Sequence, residues 1–140
     1  MKPVFKPPFF ILVCTLLAVS SCTKPAKDDT GTGLAGDWDW VQTDGGIANH
    51  IHETPASTGK NIVLRISGNN SYQVITNGVI TNQGTIDFTS QVCIHDNSSK
   101  KVIVFSNPLE LPMMIEKPIG STLELSDNAN DGILVQYRRK

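Results

Sequence analysis

From Leu34 onward the chain places apolar side chains at every second residue in short runs, and this period constrains the fold more than any other feature. Ile62, Leu64 and Ile66 alternate with Val63, Arg65 and Ser67, and Tyr72, Val74 and Thr76 alternate with Gln73, Ile75 and Asn77. Successive side chains of a strand point to opposite faces, so a period of two describes strands with one buried face. Ile86 with Phe88, Ile103 with Phe105 after Lys100-Lys101, Leu123 with Leu125, and Ile133, Val135 and Tyr137 continue it. Turn-forming residues stand between the runs: Gly68-Asn69-Asn70, Asn77-Gly78, Asn82-Gln83-Gly84, Asn97-Ser98-Ser99, Asn107-Pro108 and Asp131-Gly132. Asn, Asp and Gly tolerate the positive φ of tight hairpins. The pattern predicts an all-β domain of seven or eight short strands, an antiparallel meander closed as a barrel or folded as a sandwich. No segment has the spacing of a three-turn helix. Pro108, Pro112 and Pro118 mark Leu109–Ile119 as a loop or an edge, because proline lacks the ladder N–H.

Size and charge set the limits on what such a domain does. A chain of 140 residues with 18% charged and 6% aromatic residues builds one small core. Twelve basic and thirteen acidic residues give a net charge of -1. The broad positive field that holds a phosphate backbone is absent, so nucleic acid is not an expected partner.

The first 22 residues read as an address. Lys2 and Lys6 precede the unbroken apolar run Phe9–Val19, which is followed by Ser20-Ser21-Cys22. This is the layout of a secretory signal peptide, and the run is well short of the ~20 residues a membrane-spanning helix needs. Val19-Ser20-Ser21-Cys22 resembles the bacterial lipobox, which implies removal of residues 1–21 and lipidation of Cys22. Two or more acyl chains, each contributing about 0.8 kcal/mol per buried CH₂, anchor a protein stably without crossing the bilayer. Residues 22–33 then form the lipidated cysteine and a flexible tether, TKPAKDDTGTG, spanning about 18 Å on average. Thr23 stands where the resemblance places an inner-membrane retention Asp, which favours the outer membrane, at its periplasmic face or at the cell surface. Cys14 leaves with the signal and Cys22 is acylated, so Cys93 has no partner for an intrachain disulfide.

The barrel segment, 34–140, also resembles a family. Leu34-Ala35-Gly36-Asp37-Trp38-Asp39-Trp40 is similar to the Gly-x-Trp opening of lipocalin-like domains. Gly45-Gly46-Ile47, the Pro-containing loop Thr54–Gly59, Tyr72, the Gly84-Thr85-Ile86 strand start and the Leu123–Tyr137 close resemble small lipocalin-like lipoproteins of Gram-negative bacteria. The resemblance implies a small β-barrel of about eight strands. It also implies that Trp38 plugs the closed end, with an arginine of the last strand across it. Arg138 is assigned that place, with its neighbour Arg139 as the other choice.

Candidate functional residues follow from type and spacing. Trp38 and Trp40, two apart, share a strand face and either plug the barrel or floor a ligand cavity. Trp40, Tyr72 and Phe88 are the candidate ligand contacts. His50 with His52, and Cys93 with His95, have the i, i+2 spacing that aims two metal ligands to one side of a strand. Cys93 between Val92 and Ile94 also reads as a small buried hydrophobe. There is no Gly-x-Ser-x-Gly, no His-Glu-x-x-His and no phosphate-binding glycine loop. The expectation is a non-catalytic envelope lipoprotein without a cofactor, binding a small apolar ligand or an extended peptide. An interaction lipoprotein of an envelope complex is the alternative, motivated by the Gly45–Lys60 and Asn107–Pro118 segments, and metal binding through His50, His52, Cys93 and His95 is the third.

Overall fold

The alternating runs pair into one antiparallel sheet that closes on itself. The computed structural model describes residues 33–140 apart from Pro118. The signal-like segment, Cys22 and the tether up to residue 32 lie outside the described residues. Nine strands occur: β1 (Gly36–Gly45), β2 (Ile51–Glu53), β3 (Ile62–Ile66), β4 (Ser71–Thr76), β5 (Val79–Val92), β6 (Ser99–Phe105), β7 (Met113–Ile115), β8 (Thr122–Ser126) and β9 (Ile133–Arg139). Among the described residues a 3-10 turn, Ile47–Asn49, and one short α-helix, α1 (Pro55–Thr58), lie between these strands. The strands from β3 to β9 pair in chain order, β1 pairs with β3, and β9 returns to pair with β1. That last ladder, from Trp38 against Arg139 to Gly45 against Ile133, decides between the two architectures and makes a closed eight-stranded barrel. Strand β2 is the ninth, pairing with Thr43–Gly45 beyond the point where β3 leaves β1.

Strand parity sorts the side chains. Leu34, Trp38, Leu64, Ile66, Tyr72, Ile86, Ile103, Met113, Leu123 and Leu125 form the buried interior cluster. Their neighbours face outward, as in the Asp37–Arg65 pair across β1 and β3, with bonds of 2.7 and 2.8 Å. Arg65 donating to both carboxylate oxygens holds the Asp37 carboxyl below its ordinary range. Apolar inside and charged outside is the reverse of a barrel that faces lipid.

Three segments depart from the sequence expectation. Asn82-Gln83-Gly84 is no turn but the middle of β5, which runs unbroken through a register shift opposite Val74 and Ile75. Gly84 is there because of close approach: a Cβ at that position lies 2.3 Å from Ser106 Oγ and 3.1 Å from the Tyr72 ring. Within Leu109–Ile119, Met113–Ile115 is a full barrel stave between β6 and β8. Three residues suffice because Pro112 falls just outside, leaving the ladder N–H groups intact. The Gly45–Lys60 segment holds β2 and α1, the latter capped by Thr54, whose Oγ1 accepts from Ser57 N at 3.2 Å. Asn77-Gly78, with φ of 51° and 82°, forms the expected tight hairpin turn between β4 and β5.

The outer wall carries a second, smaller core. The turn after β5 folds back over β6 and β7, and Cys93 covers Val102 and Met114 there. Asn128 clasps this turn, accepting from Ile94 N and donating to Val92 O, both at 3.0 Å.

The end where β1 begins and β9 finishes is sealed. Trp38 is fully buried and donates from Nε1 to Leu34 O at 2.8 Å. Arg139 lies across its ring at 4.0 Å and donates to the carbonyls of Gly33, Ala35 and Gly120. The arginine on the plug is thus Arg139, correcting the assignment to Arg138. Parity is the cause, because Arg139 pairs opposite Trp38 whereas Arg138 pairs opposite outward-facing Asp39. Arg139→Ala therefore destabilises the domain by about 2–3 kcal/mol, through the stacking and the charged hydrogen bonds. Arg138→Ala stays within about 0.5 kcal/mol. Urea unfolding of the two variants side by side checks the contrast.

Candidate functional site

The opposite end of the barrel remains hollow. There β4 turns into β5, β6 runs into the Ser106–Pro112 loop and β8 into β9. An interior cavity of about 260 Å³ opens beneath that loop. Leu64, Val74, Phe105, Met113, Leu125, Ile133 and Val135 form its walls, and Leu109 and Leu111 of the loop stand at its mouth. Apolar walls of this kind favour an apolar guest over water.

Two polar side chains reach the cavity, Tyr137 and Glu110. Burial raises the pKa of Tyr137, and the nearby Glu110 charge raises it further, so the phenol stays protonated at neutral pH. Among the described residues nothing bonds to its hydroxyl. Glu110 sits on the mouth loop, its N–H donating to Asn107 O at 3.0 Å. Its Oε1 accepts from Asn82 Nδ2, and Asn107 Nδ2 donates to Asn82 Oδ1 at 2.7 Å. Mouth loop and β5 are thereby latched through Asn82.

The candidate contacts named from sequence lie elsewhere. Tyr72 is buried at the side of the cavity, with its ring edge-on to Phe105 at 4.9 Å and its hydroxyl 3.5 Å from Asn82 Oδ1. Burial raises its pKa, with Glu110 again second. Phe88 packs on the interior cluster and is covered by the Lys101 ammonium at 4.4 Å. Trp40 is buried and donates to Thr43 Oγ1 at 3.0 Å, beside the irregularity in the β1–β9 ladder. It borders an outer depression with Asp39, Val63 and Arg138. None of Trp40, Tyr72 and Phe88, the ligand contacts expected from sequence, is among the residues lining this cavity. The residues that do line it include Glu110 and Tyr137. Tyr137 was legible as the last member of an inward-facing run, but Glu110 carries no signal beyond being a carboxylate between two leucines.

Each histidine is bonded to a group other than the expected co-ligands. His50 Nδ1 bonds to Ile47 O, His52 Nδ1 to Asp44 Oδ1 at 2.9 Å, and His95 Nε2 to Ala129 O at 3.2 Å. Cys93 is buried against Val102 and Met114. Among the described residues no three His, Cys, Asp or Glu side chains are grouped to hold a metal ion.

A larger but open cleft of about 460 Å³ lies on the outer wall. Its charged groups already satisfy one another: Lys100 reaches Glu116 at 2.5 Å and Asp96 at 3.3 Å, Lys117 reaches Glu124 at 2.8 Å, and Ser126 donates to Glu116. Burial alone pushes the Glu116 pKa up, but the bonds from Lys100 and Ser126 outweigh it and leave it lowered. Such a closed network stabilises the wall and offers a ligand little.

Comparison with protein-family models, curated proteins and solved structures finds no match to this chain.

Proposed function

We propose that the protein is a non-catalytic binding module of the bacterial cell envelope, whose barrel holds a small apolar ligand. The observation that carries this reading is the interior cavity at the unsealed end. A barrel of eight strands has room for one small ligand only where side chains leave its interior unfilled. Here they leave about 260 Å³, walled by aliphatic and aromatic carbon and reached from one end.

The lipobox-like Val19-Ser20-Ser21-Cys22 and the Gly-x-Trp resemblance supply the setting. In this reading Cys22 is lipidated, residues 23–33 are the tether, and the domain is a lipocalin-like lipoprotein held at the outer membrane.

Among the described residues every ladder and the whole interior core lie between Leu34 and Arg139, which supports using this segment alone. The test is native mass spectrometry of residues 33–140 after incubation with an extract of Gram-negative envelopes. The expected spectrum shows one added small molecule per chain, released on unfolding and partitioning into organic solvent. A folded domain that stays empty overturns the ligand reading.

A second reading has its own observation. Leu109 is 89% exposed, and Leu111, Val79 and Ile80 are exposed on neighbouring mouth segments. Apolar groups displayed together on a small protein mark an interaction surface, here for an extended segment of an envelope protein. Crosslinking in intact cells checks it: a partner joined at position 109 but not at position 60 supports this reading.

A further inference from the structure

The polar groups of the cavity select among apolar ligands, and they are a carboxylate, Glu110, and a phenol, Tyr137. Glu110 is its only charged lining residue, and no Lys or Arg lines it. The carboxylate is held by its own loop, through Glu110 N to Asn107 O, and by Asn82 on Oε1. Among the described residues Oε2 has no donor. Glu110 and Tyr137 line the same cavity, and the Glu110 charge is a secondary cause, after burial, of the raised pKa of Tyr137 and of Tyr72. The Tyr137 hydroxyl, free of a partner among the described residues, can accept from a head group that sits between it and Glu110. Inside apolar walls such an interaction is screened less than in water.

A fatty acid is the obvious guest for an apolar barrel, but this cavity is built against one. Its carboxylate would sit beside Glu110 with no cation to balance it, and like charges brought together in a low-dielectric site are strongly disfavoured. An ammonium or hydroxyl head meets the opposite situation, since the free carboxylate oxygen gains a donor.

Resting on the reading of the cavity as a ligand site, we propose that it selects a short apolar molecule with a cationic amine head, placed between Glu110 and Tyr137, and rejects carboxylates. The apolar tail lies among Leu64, Val74, Leu125 and Val135. A neutral alcohol of equal length is accepted, more weakly, because it can donate one hydrogen bond but brings no charge.

Calorimetric titration of residues 33–140 at pH 7 with octylamine, octanol and octanoate tests the proposal. Octylamine binds about tenfold or more tighter than octanol, equivalent to about 1.4 kcal/mol, and octanoate binds at least about a hundredfold more weakly than octylamine. In Glu110→Gln, whose fold is checked by circular dichroism, octylamine loses its advantage and comes within about threefold of octanol. Octanol binding with octanoate equal to octylamine, or a ranking unchanged in Glu110→Gln, overturns the amine preference and leaves the cavity a ligand site. Failure of all three probes to bind overturns the ligand-site reading and the preference together.

Discussion

Trp38→Ala strongly destabilises the barrel domain and lowers its melting temperature by more than about 10 °C. Trp38 is the largest fully buried side chain, and removing such a ring costs about 3–5 kcal/mol once the lost burial and the residual cavity are combined. The loss does not stop at the ring. Arg139 stacks on it, and without it the guanidinium has only its backbone carbonyls to hold it in place. The indole N–H bond that fixes Leu34 O over the sealed end disappears as well. A domain of this size has a total stability of about 5–15 kcal/mol, so the variant sits at the lower edge of the folded range. Thermal unfolding followed by near-ultraviolet circular dichroism gives the result directly. A melting temperature within a few degrees of wild type is the outcome that contradicts a structural role for Trp38.

Val74→Phe abolishes ligand binding and keeps the fold. Val74 lines the cavity from β4, and the added ring atoms enter empty space instead of a packed core, where overpacking costs about 1–3 kcal/mol. Octanol affinity falls at least about a hundredfold, because the volume the guest needs is taken. The melting temperature stays the same or rises, since buried apolar area is added. A variant that retains octanol binding shows that the guest sits outside the barrel.

The all-β meander was legible in the sequence because the period of two is written in side-chain polarity, the variable that sorts inward from outward residues. Closure was not written in that period and was implied only by the resemblance to lipocalin-like domains, since it depends on β9 reaching β1, a contact about a hundred residues apart that no local pattern records. The expected break at Asn82-Gln83-Gly84 failed because turn propensity and close approach both select glycine, and only the Tyr72 and Ser106 neighbours tell them apart. The short stave Met113–Ile115 was hidden by flanking prolines, which bar long strands but permit a three-residue one. At the functional end the gap has a different origin. Aromatic residues attract notice as ligand contacts, yet Tyr72 and Phe88 are committed to packing. The polar lining comes instead from an exposed loop and from the end of the final strand. The single-residue choice between Arg138 and Arg139 turned on register: one step along a strand moves a side chain to the other face.

The two ends of the barrel are unequal, and the chain enters at the sealed one. Gly33 and Leu34 lie against Arg139 and Trp38, while Leu109 and Glu110 stand at the far rim. On the proposed reading, in which Cys22 fixes the leading segment to a surface, the mouth at Leu109 and Glu110 opens at the barrel end opposite Gly33, and the proposed guest exchanges with the surrounding water and not with that surface.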